Sequence, residues 1–245
     1  MTRAEIQFIR SLADKRTRDE ERLFVAEGRK LVEEIASSHL RIRNIYTTRK
    51  DFVGDNVEVV TDKDMERISQ LKSASDTLAV VEQPRYRLDV KQLGEKLTLA
   101  LDGVQNPGNL GTIIRLADWF GVEDIVCSAE CADCYNPKVV QATMGAILRV
   151  RVHYTNNLSG VLSSAAESGK PIYGTLLDGD NIYNAKVENR GIIVMGNEGR
   201  GVSAECRATL THKLLIPPYP ADAPTSESLN VAMATGIILA EFRRR

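Results

Sequence analysis

Three short stretches hold the residues on which chemistry can be built: Asn106-Pro-Gly-Asn109 with Arg115 six residues on, Gly196-Asn-Glu-Gly-Arg-Gly201, and Ser226-Glu-Ser-Leu-Asn-Val-Ala232. The first follows Leu99-Ala-Leu-Asp102, which reads as a buried strand. An Asn and an Arg then stand near the start of a helix beyond a strand's carboxyl end, where open α/β sheets bind ligands. In the second, Gly196 directly follows the apolar run Ile192-Ile-Val-Met195. Glycine has no Cβ, so backbone there can come close to a flat ligand. In the third, Ser228 and Asn230 bring a hydroxyl and a carboxamide to the head of a C-terminal apolar segment.

Each of these residues also has a plainer role. Asn109 can cap the helix it precedes. Arg115, set among Ile113, Ile114 and Leu116, can sit on an exposed face or point into a pocket, since an unpaired buried charge is costly. Glu198 can be solvated, and Ser228 and Asn230 can simply begin the last helix.

Several chemistries are excluded. There is no Gly-x-x-x-x-Gly-Lys-Ser/Thr phosphate loop, no Gly-x-Ser-x-Gly elbow and no His-Glu-x-x-His. Glycines 196, 199 and 201 do not have the dinucleotide spacing, which argues against a nicotinamide site. Three of the four cysteines, Cys127, Cys131 and Cys134, crowd one loop, with Cys206 apart. Cys131-Ala-Asp-Cys134 lacks the second Cys or His pair of a zinc site, and His39, His153 and His212 are scattered, so no metal is expected. Reduced cysteines, the absence of a signal peptide and the lack of a 20-residue apolar run predict a cytoplasmic chain with no membrane partner.

The elements that must position these residues follow from periodicity. Ile6, Ile9, Leu12 and Ala13 mark a helix over 4–13, and Leu31, Val32 and Ile35 another. Short strands are predicted at 42–47, 57–60 and 78–81, with Asp62 capping a helix that carries Met65, Ile68 and Leu71. The charged stretch 85–96 after Pro84 is read as a linker. From residue 97 strands (97–101, 124–127, 150–153, 171–176, 191–195, 213–216) alternate with helices (109–120, 137–146, 157–168, 203–210, and 227 to the end). Such alternation predicts a mainly parallel sheet with helices on both faces. Trp119 and Phe120 are expected in the core.

The three ordered motifs resemble those of the SpoU (TrmH-like) RNA ribose 2′-O-methyltransferases of the SPOUT superfamily; Tyr135-Asn-Pro-Lys-Val-Val140 and Met144-Gly-Ala146 fit as well. Residues 1–84 resemble the L30e-like substrate-binding domain that often precedes this catalytic domain, here 97–245. The resemblance implies S-adenosyl-L-methionine as cofactor, a C-terminal trefoil knot, a homodimer and RNA as substrate, ribosomal RNA ahead of transfer RNA. Carried over by motif, Asn109, Arg115, Glu198, Ser228 and Asn230 are catalytic, and Thr175, Gly196, Asn197, Ile216 and Leu229 hold the cofactor. The Pro-rich segment 217–227 is longer than the family's loop. A non-catalytic RNA-binding protein is the competing reading, and a small-molecule α/β enzyme the third.

Charge bears on the substrate. Residues 1–50 hold 12 Lys and Arg against 8 Asp and Glu, although the whole chain is only −1. Lys15, Arg16, Arg18, Arg22, Arg29 and Lys30 are expected to meet phosphates; a solvated helix face of mixed sign is the alternative. Leu229, Met233, Gly236, Ile237 and Ala240 recur every three to four residues, an apolar stripe suited to a dimer contact. Arg243-Arg-Arg245 reads as a charged helix end.

Overall fold

The structure is a computed structural model that describes residues 1–54, 56–220 and 228–244. It divides into two compact units, residues 1–85 with 133–148, and residues 86–132 with 149–245.

In the first unit, α1 (Arg3–Ser11) begins at a capping box: Thr2 accepts from the Glu5 backbone, and Glu5 reaches back to Thr2. It is followed by α2 (Lys15–Glu21), β1 (Leu23–Glu27), α3 (Arg29–Ala36), β2 (Ile42–Thr47), β3 (Val57–Val59), α4 (Asp62–Ile68) and β4 (Thr77–Glu82). The sheet order is β1-β4-β2-β3, with β4 antiparallel to both neighbours and β2 parallel to β3. Ile6, Ile9, Leu12, Met65, Ile68 and Leu78 meet in one core.

Two elements here lie outside the sequence expectation. The segment Lys15–Glu21 has no apolar face, and its buried side chain is an arginine, Arg18. Strand β1 is an apolar run with no alternation, since all five of its residues are buried. The expected cap on α4 moves by one: Thr61 is the cap and Asp62 the first helical residue, while Leu71 falls beyond the helix end.

The second unit is built on β5 (Leu97–Asp102), α5 (Pro107–Trp119) and β6 (Asp124–Ser128). The chain then supplies α6 (Pro137–Thr143) and a 3-10 turn, Ala146–Leu148, to the first unit. It returns with β7 (Arg151–Thr155), α7 (Leu158–Glu167), β8 (Ile172–Asn181), β9 (Gly191–Gly196), α8 (Ala204–Arg207), β10 (His212–Leu215) and α9 (Val231–Arg244). The six strands lie in the order β10-β8-β9-β5-β6-β7, every pairing parallel. Every residue of β5 is buried, as expected of a central parallel strand. Ala100, Val126, Leu162, Ile172, Ile192 and Val194 form the core.

Four expectations are corrected in this unit. Asn109 does not cap α5; Asn106 does, accepting from the Asn109 backbone at 3.1 Å, because the helix begins at Pro107. Trp119 is 82% exposed rather than core, sharing the outward face of α5 with Thr112 and Arg115, and Phe120 is only half-buried. The last helix starts at Val231 and the short one spans only Ala204–Arg207. Arg243 is no free helix end: its guanidinium donates to the carbonyls of Phe120 and Gly121, just past α5. Ser226, Glu227, residues 221–225 of the Pro-rich segment and Arg245 lie outside the described residues.

Candidate active site

At the end of β5, Asp102 is buried and accepts a hydrogen bond from the Ser203 backbone at 2.7 Å, which ties the end of the 196–203 loop to the central strand. Asn197 reinforces that tie. Its Nδ2 donates to the Gly103 carbonyl at 2.6 Å, and its Oδ1 accepts from the Gly199 and Arg200 backbones at 2.9 and 3.0 Å. The loop folds back so tightly that a Cβ at Gly196 would stand 2.3 Å from the backbone of Gly201 and Val202. Glycine is required there by its own chain.

Across this loop three side chains far apart in sequence are joined. Asn109 Nδ2 donates to Glu198 Oε1 at 2.8 Å, and Asn109 Oδ1 accepts from Asn230 Nδ2 at 3.0 Å. Asn230 Oδ1 in turn accepts from the backbones of Ala232 and Met233 at 3.0 and 3.3 Å, satisfying N–H groups at the start of α9. The orientation of the Asn109 carboxamide is thus fixed from both sides, and with it one oxygen of Glu198.

Beside the network lies a cavity of about 690 Å³, within the range of small-molecule sites. Its wall includes all five residues expected to hold a cofactor, Thr175, Gly196, Asn197, Ile216 and Leu229, together with Glu198 and Ser228. The Thr175 hydroxyl is turned onto the Val194 carbonyl at 3.1 Å, and the Asn197 side chain is occupied within the loop, so both shape the wall. Asn109 and Asn230 stand behind Glu198 rather than on the wall. Arg115 is not brought to the cavity: it is exposed on α5 and makes no hydrogen bond or ion pair among the described residues.

The apolar part of the wall is not visible in the sequence reading. Between β8 and β10 the register jumps, from Lys213 opposite Gly174 to Leu214 opposite Asp180, which leaves residues 175–179 to bow out. Thr175, Leu176, Leu177 and Asp178 line the cavity from this bow. Gly179 permits it, since a Cβ there would meet the Leu214 backbone at 2.6 Å. A glycine inside a strand pattern is the signal that could have found the irregularity.

All four cysteines are free and buried, and among the described residues no His, Cys, Asp and Glu group is arranged to hold a metal. Cys131 is pushed down to about 7, chiefly by a hydrogen bond from the Cys127 thiol, helped by Ser128 and the backbones of Val104 and Gly103. Burial pushes Cys206 up to about 11.

A parallel α/β unit with a ligand-sized cavity at the carboxyl ends of its strands is the class that this architecture defines. Residues 96–240 match the SpoU rRNA Methylase family, and residues 3–84 match the MRM3-like substrate binding domain. The chain belongs to the SpoU rRNA methylase family. It is 27% identical over 241 residues to the 23S rRNA (guanosine(2553)-2′-O)-methyltransferase RlmP of Bacillus subtilis, covering 96% of this chain and 94% of that one. With several other curated relatives it spans about half of their length. Among solved structures, a TrmH-family protein from Porphyromonas gingivalis is 38% identical at a TM-score of 0.90, over 100% of this chain and 98% of that one. The AdoMet-bound rRNA methyltransferase of Sinorhizobium meliloti is 30% identical at 0.87, over 100% and 95%.

Proposed function

We propose that this chain transfers the methyl group of S-adenosylmethionine to a ribose 2′-hydroxyl of ribosomal RNA. The chain is an S-adenosylmethionine-dependent RNA methyltransferase of the SpoU family, and the observation that carries the reading is the Asn230–Asn109–Glu198 network at the edge of the 690 Å³ cavity. The cavity suits the cofactor: Met195, Leu214, Val231 and Ile238 give it apolar surface, and the backbone at Thr175, at Gly196 where β9 ends and at Ile216 just past β10 offers polar groups. Bound there, S-adenosylmethionine would supply a methyl group made electrophilic by its sulfonium. The chain's own residues do the rest. Glu198 has Oε1 engaged by Asn109 and Oε2 without a hydrogen bond among the described residues, so Oε2 is the chain's proton acceptor for the 2′-hydroxyl. A guanidinium offers a planar fork of donors and no acceptor, so Arg115, exposed on α5 off the cavity wall, is assigned as a bidentate clamp for a substrate phosphate and not as the base. Ser228, on the cavity wall, orients the ribose.

Family membership supports the expected C-terminal trefoil knot. The dimer is supported by exposure: Leu229 and Met233 are 50% and 63% exposed, Ala240 is exposed, and Gly236 and Ile237 are half-buried. The opposite face of α9, with Val231, Ile238, Leu239 and Phe242, is the one buried in its own unit. This exposure favours the dimer contact over packing on its own sheet alone. Met233→Glu should turn a dimer seen by light scattering at micromolar concentration into a monomer. We assign RNA capture to the first unit and cofactor binding to the second, in a cytoplasmic chain; no helix of the described residues is long and apolar enough to cross a membrane.

The test is a map of ribose methylation in total RNA from cells with and without the gene, together with methyl transfer by the purified chain to transcribed 23S rRNA. Loss of one 2′-O-methyl site is expected. A map that does not change, with no transfer in vitro, would overturn the reading.

A further inference from the structure

A small pocket of about 170 Å³ opens in the first unit between α1 and the β2–β4 face, floored by Ile9 and Val80 and walled by Phe8, Arg43, Asn44 and Tyr46. At about 30 Å³ per water it has room for a few waters or one planar heterocycle, not a whole nucleotide. Its walls break the ordinary rule of a strand. Successive side chains of β2 should face opposite ways, yet Arg43, Asn44 and Tyr46 all line one pocket. The cause is a β-bulge: opposite β4, Ile42 pairs with Val81 and Asn44 with Val80, leaving Arg43 as the extra residue. Bulges re-aim side chains in this way and are over-represented beside functional sites.

Among the described residues, the Tyr46, Asn44 and Arg43 side chains brought there make no hydrogen bond or ion pair. The Tyr46 ring is buried while its hydroxyl is accessible from the pocket and has no hydrogen bond among the described residues. Burial, with Glu58 and Glu5 close by, pushes its phenol upward, so it remains a neutral donor. Likewise the Asn44 carboxamide makes no hydrogen bond among the described residues. The Arg43 guanidinium lies 5.4 Å above the Phe8 ring with no carboxylate partner among the described residues. Glu5, at the same pocket, has its carboxylate engaged by the Thr2 backbone and hydroxyl.

Resting on the RNA reading above, we infer that this pocket receives one unpaired nucleobase of the substrate RNA, packed against the edge of the Phe8–Arg43 pair and read by Asn44 and Tyr46. Aromatic rings and guanidinium planes are the surfaces on which splayed-out bases stack. A carboxamide offers a donor and an acceptor side by side, the complement of adenine's N6 and N7 edge. The occupant is taken as adenine, whose N6 and N7 edge a carboxamide meets bidentately, with Arg43 answering the adjoining phosphate.

The full chain is titrated with a labelled nine-nucleotide oligoadenylate RNA and, in parallel, with oligouridylate. Oligoadenylate should bind the tighter, and Asn44→Ala should weaken it about tenfold or more while leaving oligouridylate nearly unchanged. Tyr46→Phe, which removes only the hydroxyl, should weaken it several-fold without lowering the melting temperature. Equal binding of the two RNAs by the wild type, or unchanged oligoadenylate binding in both variants, overturns the inference. Calorimetry with S-adenosylhomocysteine separates the failures. Loss of that binding in the wild type defeats the methyltransferase reading, whereas intact cofactor binding with indifferent variants defeats the pocket alone.

Discussion

Polar side chains in the two units are engaged in opposite ways. In the first unit half of the six basic residues expected to meet phosphates are matched by acids a single turn away: Lys15 with Asp19, Arg16 with Glu20, Arg29 with Glu33. In the second, Asn109 is bonded to residues 89 and 121 positions away. Pairs four apart on an exposed helix are worth little and restrain only their own helix. A chain of bonds across three distant segments fixes a site. Local charge order on α2 and α3 therefore marks solvated surface, whereas the proposed site rests on contacts between segments distant in sequence.

The sharpest test of that contrast is to cut the network. Asn109→Ala leaves Glu198 unheld and Asn230 without its acceptor, and methyl transfer should fall about 100-fold or more, since positioning and electrostatic preorganisation each supply several kcal/mol. S-adenosylhomocysteine affinity should stay within about twofold, because Asn109 is not on the cavity wall. Arg115→Lys should also keep cofactor affinity and lose rate through loss of the planar fork, with the limbs of its pH–rate profile unmoved. A lysine-like titration appearing in that profile would mean that the residue at 115 is a base and not a clamp.

Arg18 breaks the simple division. Its place in a basic stretch predicts a phosphate partner, but it is 1% exposed, bonded to Asp133 at 2.6 Å and to the carbonyls of Leu12 and Ala13. Its partner is 115 positions away, so in the first unit too the tie that reaches across the chain is the buried one. Arg18→Met should cost about 3–5 kcal/mol in urea unfolding, because it leaves the Asp133 carboxylate unpaired at a nearly buried position. Arg18→Met combined with Asp133→Leu should recover much of the loss. A single-variant cost below about 1 kcal/mol would place this pair with the surface ones.

What is legible in the sequence follows the same line. The apolar runs Leu97–Asp102 and Gly191–Gly196 and the periodic helices are readable because burial and period are local properties. The cap on α5 lies three residues from its expected place because Asn106 and Asn109 are chemically alike, and Pro107 starts the helix earlier than apolar spacing suggests. Trp119 defies its expected place because large aromatics usually fill cores, although its spacing from Thr112 and Arg115 puts it on their outward face. The bow at 175–179 depends on where β10 docks, which no stretch of β8 encodes by itself.

A smaller effect is expected at the far edge of the second sheet. Burial by itself would raise the Asp124 carboxyl, but hydrogen bonds from His153 and from Arg151 outweigh it and hold it well below the usual range. A carboxylate depressed in the folded state adds stability above its unfolded pKa and loses it as pH falls through the folded value. Asp124→Asn should therefore be less stable than the wild type near neutrality. The gap should narrow as pH drops below about 4, the ordinary range of aspartate. A gap that stays constant from pH 7 to pH 2 would show that the bonds at Asp124 act by shape and not by charge.

The smallest effect on stability is expected where the sequence is easiest to read. Arg16 is 85% exposed and Lys15 63%, each paired only with an acid one turn along α2. Replacing both with Gln should leave the melting temperature almost where it was, since such pairs offset their own ordering entropy and are screened by salt. RNA binding is a different matter. A phosphate can draw these cations away from weak partners, and each cation withdrawn from a phosphate should lower the slope of log affinity against log salt by about 1. If Lys15→Gln/Arg16→Gln lowers that slope by about 2 with no change in stability, the exposed pairs are a reserve of cations for RNA. An unchanged slope would make them solvated helix surface, and the neutralising of phosphates by the first unit would pass to cations such as Arg43, which has no acid paired with it among the described residues.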